Sequence, residues 1–381
     1  MSLSDYIKKH QLDTVLSDLL NQCVKARADN PLVYMADYLL KKKKNDDILD
    51  CKAYYVFDSR GVPTTEVKLT TAKGVYRATC PSGSFQTLSE FMEYRDDDAG
   101  KYNGRGVMRA VHEINEKIAP LIIGKRATDQ EQIDHILLEN TSYINVMYPV
   151  SVAVYKAGNN KSGSSSSSTI QPLPILKVCE TTERSQQLFV VPVVNSWIDH
   201  ENAMRMCVEV YHACPRTCTT LVHGLSVVTK AIDPRHAGKL RIVVDVNASD
   251  FLTEDNYYEM DKIKLNRDEM HAMYKQWVSE YPIEWIENPF DHEEAFEPRD
   301  YYLSSHPRNK CFCLKPTQYG TVTRVKEEAC KSYTGGSTII VSSRTGDTDD
   351  AFEYTLALEL GAKYIRLGNV PRYNCLLRES D

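Results

Sequence analysis

In this 381-residue chain the residues placed for chemistry are Asp245 in VVDVNASDF, Glu287 in IEWIENPF, Lys315 in CLKPTQYGT, Arg344 and Thr345 in VSSRTGDTDD, and Arg366 in YIRLGN. All sit at or just beyond the polar end of an apolar, strand-like run. The runs are PLPILKV, QLFVVPVV, RIVVDVN, IEWIEN, CFCLKP, STIIVSSR and KYIRLG, and from residue 170 onward they alternate with helical patterns, as a parallel α/β barrel requires. In such barrels the carboxyl ends of the strands build the active site. Carboxylates, a lysine and arginines gathered at those ends are side chains that move protons and hold charge. One stave is not legible. Between Phe290 and Cys311 there is no good strand, and DYYLSS is the only candidate substitute.

The elements before the barrel must support that mouth. From Lys52 to Asn159 strands are followed by helices: the alternation in TTEVKLTT and GVYRATC, joined through Ala72 to Gly74, predicts a β meander. MRAVHEINEKIAPLI then places Val111, Ile114, Ile118 and Leu121 on one helical face. Ser162 to Ser168 is a serine-rich tract and reads as a mobile surface loop. The expected organisation is a helical hairpin over 1–46, an α+β domain over 52–159, a loop over 160–169 and an α/β barrel over 170–381.

The stretch YVFDSRGVPTTEVKL, the strand ends WIENPF, LKPTQYGT and SSRTGDT, and the ending NVPRYNCLLRES together resemble the enolase family, from about Lys52 to Asp381. The resemblance implies an α+β amino-terminal domain followed by a TIM-like barrel. It also implies phosphopyruvate hydratase activity, which converts 2-phosphoglycerate to phosphoenolpyruvate with Mg²⁺ stabilising an ene-diolate. On that reading Asp245 and Glu287 match two metal-ligand carboxylates and Lys315 the catalytic base. Arg344 and Thr345 match a phosphate-binding pair, and Arg366 stands where the family has a lysine that contacts substrate.

The same comparison shows what is rewritten. Phe85, Gln86 and Thr87 occupy the places of a serine, a threonine and a glycine in the loop that carries a metal-ligand hydroxyl. Asn288 stands for an aspartate and Ser343 for a histidine, and the third carboxylate should end the strand that is missing after Phe290. Between His212 and Arg241, where the family carries Gly-Asp-Glu-Gly-Gly, the chain reads ACPRTCTTLVHGLSVVTKAIDPRHAGKL, without a glutamate. ETTERSQQ replaces a histidine-bearing loop. A positioned acid alone is worth about 10²- to 10⁴-fold, so these losses predict an inactive enolase-like protein with weak metal binding. The alternatives are a hydratase of reduced activity that uses Glu180, Glu183 or Asp300 as replacements, and a module that senses a phosphometabolite.

Before the enolase-like part, Tyr6, Leu12, Val15, Leu16, Leu19, Leu20, Cys23 and Val24 recur at helical spacing. Asn30 is a good N-cap, Pro31 suits the first helical position, and Leu32, Met35, Tyr38 and Leu39 make a second stripe. Two short helices do not sustain a core alone. With NPLVYMADYLLKKK, this segment resembles the dimerisation/docking motif of the protein kinase A regulatory subunit. The resemblance implies a homodimer whose four-helix bundle takes an amphipathic helix from an anchoring or axonemal protein, through residues such as Leu12, Leu16, Leu19, Leu20, Pro31, Tyr38 and Leu39. By the same analogy it implies a cytoplasmic location at a cilium or flagellum. A net charge of −6 argues against a general nucleic-acid or anionic-membrane surface, and eleven cysteines without paired spacing fit a reducing compartment.

Overall fold

The computed structural model describes residues 7, 12–42, 46–83, 91–159, 171–182, 186–193, 200–260, 263–291, 302–304 and 311–378. Phe85, Gln86, Thr87, Glu183, Asp300 and the tract Ser162 to Ser168 lie outside them. Helices α1 (Leu12–Ala26) and α2 (Pro31–Lys42) form the hairpin. The Asn30 side chain accepts from the Val33 amide at 3.2 Å, which caps α2 as its Asn-Pro start predicts. Leu19 and Cys23 are buried, while Leu16, Leu20, Val24, Leu32, Val33 and Leu39 are exposed. Among the described residues, α1 and α2 pack mainly on each other rather than on any element of the body.

Strands β1 (Ile48–Phe57), β2 (Pro63–Thr71) and β3 (Gly74–Thr79) make the expected antiparallel meander. The Asp58 carboxylate accepts from the amides of Arg60 and Val62 and so ties the β1–β2 turn, in which Gly61 takes a φ of 72°. Helix α3 (Met108–Glu113) continues through a π turn, Ile114–Ile118, into Ala119–Ile122. Val111, Ile114 and Ile118 are buried as predicted, but Leu121 is 38% exposed and Ile122 takes the inward place. The reason is the π turn: an i→i+5 step inserts one residue and rotates the following face. The almost wholly buried α5 (Ile144–Gly158) covers the meander, and helix α4 (Gln130–Asn140) packs on α5.

The barrel strands are β4 (Leu173–Pro174), β5 (Leu176–Thr181), β6 (Gln187–Pro192), β8 (Leu240–Asp245), β11 (Ile283–Glu287), β12 (Tyr302–Ser304), β13 (Cys311–Leu314), β14 (Thr338–Ser342) and β15 (Tyr364–Arg366). Short strand β7 (Thr217–Cys218) runs beside β5, and β9 (Tyr258–Met260) pairs with β10 (Ile263–Leu265) off the barrel. One sheet runs β12-β11-β8-β6-β5, the other β13-β14-β15-β4, and the two meet at Ile175 between β4 and β5. The helices against them are α6 (His200–Ala213), α7 (Leu221–Ala231), α8 (Arg267–Glu280), α9 (Val322–Thr334), α10 (Phe352–Leu360) and α11 (Asn374–Arg378).

Two staves differ from the all-parallel expectation. β6 runs antiparallel to β5 and β8, because residues 182–186 are too few for a crossover back to the same end. DYYLSS supplies β12, which also runs antiparallel, beside β11. Inside the barrel Ile175, Phe189, Val191, Val243, Trp285, Cys313, Ile340 and Tyr364 form a separate buried cluster, with the Trp285 ring tilted against Tyr364 at 5.3 Å. The amino-terminal domain is tied to the barrel by buried Asp134 of α4. Its carboxylate accepts from Ser151 Oγ at 2.6 Å and from the amide and hydroxyl of Thr323, at 2.9 and 2.6 Å, in the first turn of α9.

Candidate active site

Side chains alternate along a strand, so the residues two beyond the interior cluster, towards the carboxyl ends of β8, β11, β13, β14 and β15, share its inward face at the barrel mouth. They are Asp245, Glu287, Lys315, Ser342 and Arg366. Antiparallel β6 brings its first residue, Gln187, to the same level, opposite Asp245. Parallel pairing sets Glu287 opposite Asp245 and Ser342 opposite Arg366. Lys315 follows Leu314, which pairs with Val341, and so comes level with Ser342.

Glu287 is 1% exposed, and both of its oxygens are engaged. Oε1 accepts from the Trp285 indole N–H at 2.8 Å, and Oε2 accepts from Arg366 Nη2 at 2.7 Å. The same Nη2 lies 3.3 Å from Cys313 Sγ, and the guanidinium stands over the Phe189 ring at 4.8 Å. This is a charge-assisted pair away from water, in which loss of either member leaves the other buried and costs about 3–5 kcal/mol. Asp245 accepts from Asn288 Nδ2 at 2.9 Å. Asn288 adopts a φ of 47°, a left-handed conformation that asparagine tolerates, and its neutral amide donates where an aspartate would repel.

The phosphate-pair candidates follow this layer, in the loop after β14. Arg344 packs so closely on Gly83 that a Cβ there would lie 2.1 Å from its Nη2. It lines a small pocket with Pro81, Phe91, Glu93, Ile144 and Thr317, and Thr345 is exposed. The 343–350 loop is fastened to the amino-terminal domain: Ser82 and Gly346 exchange two backbone hydrogen bonds of 2.8 Å, and the Ser59 amide donates to Asp347 O. Ser343, in the family's histidine place, donates to Asp347 Oδ1 at 2.6 Å, while the Gly368 amide binds the other oxygen at 3.1 Å. Asp347 is therefore a structural anchor.

Two described carboxylates that could replace the acid are engaged elsewhere. The one carboxylate of the 213–240 segment, Asp233, holds an exposed turn and is pulled down to about 2 by its hydrogen bonds to Arg235. Glu180 pairs with Lys177 at 3.0 Å and is 40% exposed. Gln187 was passed over by sequence reasoning. The alternation of QLFVVPVV marks it as inward, but only the antiparallel direction of β6 brings that end of the strand to the mouth.

Mg²⁺ takes near-octahedral hard oxygen ligands at about 2.1 Å. The described mouth does not fit it. Glu287 already holds a guanidinium and an indole, Asp245 an amide, and no group of three or more His, Cys, Asp or Glu among the described residues is placed to hold a metal ion.

Behind the 343–350 loop, burial pushes Glu353 up to about 7, against the opposing pull of Arg372, which donates to it at 3.1 Å. A carboxyl raised in the folded state adds stability below its ordinary value near 4.5 and loses it as pH rises through the raised value. Wild type should therefore lose stability relative to Glu353→Gln between about pH 5 and about pH 8 in denaturant titrations. A difference independent of pH would refute this assignment.

Two family models match the chain: the enolase N-terminal domain over residues 48–168 and the enolase C-terminal TIM barrel domain over residues 214–305. Among relatives, an enolase of Mastigamoeba balamuthi is 30% identical over 408 residues, covering 85% of this chain and 93% of its own length. An Eimeria tenella enolase is 28% identical over 424 residues, covering 87% and 95%. Cytosolic enolase 3 of Arabidopsis thaliana is 29% identical over 459 residues, covering 99% of this chain and 96% of its own, so its match takes in the hairpin as well. The meander, the antiparallel second barrel strand and the strand-end carboxylates lie within a likeness that spans almost the whole chain, which belongs to the enolase family.

Proposed function

We propose that this enolase-family chain no longer performs phosphopyruvate hydratase chemistry and acts as a dimeric adaptor, with its hairpin as the docking element and its enolase body as a rigid load. The observation that carries this reading is the hairpin's surface. Leu16, Leu20 and Val24 follow one another at i, i+4 spacing on α1 and are 51%, 57% and 73% exposed, and Leu32 and Val33 of α2 are 75% and 55% exposed. Apolar stripes that pack chiefly on each other, and still face water, suit pairing with a second hairpin and a partner's amphipathic helix. The reading of the body as inactive draws support from the absence of a catalytic acid in residues 213–240 and from a metal-ligand carboxylate, Glu287, already paired with Arg366. On this reading the protein is cytoplasmic, and the ciliary or flagellar axoneme is the location we propose.

A second reading has one observation in its favour: the match to a protein called cytosolic enolase 3 extends over the hairpin, so a similar amino-terminal segment accompanies a chain of that name. On that reading the protein is a Mg²⁺-dependent hydratase with Lys315 as base. The two separate in a coupled assay of phosphoenolpyruvate formation from 2-phosphoglycerate at millimolar Mg²⁺. Wild type and Lys315→Ala should give equal background rates, and a rate at least tenfold above the variant would overturn the non-catalytic reading.

Light scattering in solution tests the hairpin. Wild type should have the mass of a dimer, and Leu20→Glu, which puts a charge on the exposed stripe, should shift it to monomer while leaving far-ultraviolet circular dichroism unchanged. A dimer unaffected by Leu20→Glu and by Leu16→Glu would sink the hairpin's role.

A further inference from the structure

We propose that Arg366 is a resident cation of the barrel mouth, its guanidinium standing in the electrostatic place of a divalent metal beside Glu287, so that this carboxylate is neutralised and ordered without metal. The inference rests on the non-catalytic reading of the same mouth.

Three features lead to it. First, Glu287 is 1% exposed, with Arg366 Nη2 at 2.7 Å on one oxygen and the Trp285 indole at 2.8 Å on the other. A Mg²⁺ on Oε2, at about 2.1 Å, would lie no more than about 5 Å from that Nη2, a like charge at close range in a site with little water. Second, Arg366 is fixed in place. It is the last paired residue of β15, its carbonyl accepts from the Ser343 amide at 2.9 Å, and its guanidinium is held by Phe189 and Cys313. A guanidinium so placed stays charged when buried and donates one N–H to the carboxylate at 2.7 Å. Third, among the described strand-end residues, two carboxylates, Asp245 and Glu287, are matched in number by Lys315 and Arg366, of which Arg366 pairs directly with Glu287, and Lys177 is paired with Glu180. A divalent ion approaching a carboxylate already neutralised recovers little of its desolvation cost.

Mn²⁺, which occupies Mg²⁺ sites and is paramagnetic, provides the test. It is titrated into the full-length protein and followed by electron paramagnetic resonance and, with Trp197 and Trp277 replaced by phenylalanine, by the emission of Trp285, whose indole donates to Glu287. Wild type should show no saturable one-per-chain binding up to about 1 mM. Arg366→Met, which uncovers the carboxylate, should bind Mn²⁺ at least tenfold more tightly, and adding Glu287→Gln should remove that gain. If Arg366→Met does not fold, Arg366→Gln, which also removes the charge, should shift affinity in the same direction. Saturable wild-type binding that is lost in Glu287→Gln would overturn the proposal, as would unchanged affinity in the folded Arg366 variants. Phosphoenolpyruvate formation measured on the same samples separates the two claims. Metal bound without turnover defeats this inference alone, and turnover without metal defeats only the non-catalytic reading.

Discussion

The barrel mouth depends on one buried ion pair, Glu287 with Arg366. β11 and β15 carry these residues at their carboxyl ends and belong to the two different sheets of the barrel. A 2.7 Å bond between them is therefore a tie across the barrel, and the Trp285 indole and the Phe189 ring complete its low-dielectric surroundings. Such a pair is poor evidence of net stability, because both ions have been taken out of water, but it is stringent about geometry. A carboxylate and a cation at those two positions leave neither charge unmatched.

Around that tie the chain uses polar residues to hold elements together rather than to present them. Asn288 turns an amide towards Asp245, Ser343 and Gly368 engage Asp347, and Asp58 ties the β1–β2 turn while accepting from Ser82 Oγ. The DSRG and SSRTGDT segments, which resemble enolase motifs, meet here as a seam between domains through the Ser59 amide and the Asp347 carbonyl. A fold can keep such residues after its chemistry has gone, because each is bonded to another and removing one strands its partner. At the other end of the chain the opposite holds: the hairpin keeps apolar side chains in water, a cost that a partner surface would relieve.

Much of this was legible in the residues. Seven strand-like runs and the meander could be placed because apolar periodicity is a local signal, and the cap at Asn30-Pro31 because capping needs only neighbours. What escaped reading was non-local. The π turn at Ile114–Ile118, which trades Leu121 for Ile122, leaves no mark in the periodicity before it. The reversed direction of β6 hid Gln187, and DYYLSS showed that it could form a strand without showing that it would run antiparallel to β11. Arg366 could be located at a strand end, but its choice of Glu287 as partner depends on which strands face each other across the barrel. That follows from closure and not from any one run of sequence.

The most direct measurement is a double-mutant cycle on this pair, with Glu287→Gln, Arg366→Gln and the double variant compared by urea unfolding in EDTA. The account predicts that each single change costs more than the two changes together, with a coupling of at least about 1.5 kcal/mol, because each single variant leaves a buried charge unmatched. Additive effects, with the double variant losing the sum of the two, would mean that Glu287 and Arg366 do not depend on each other, and would contradict a mouth organised by its own cation.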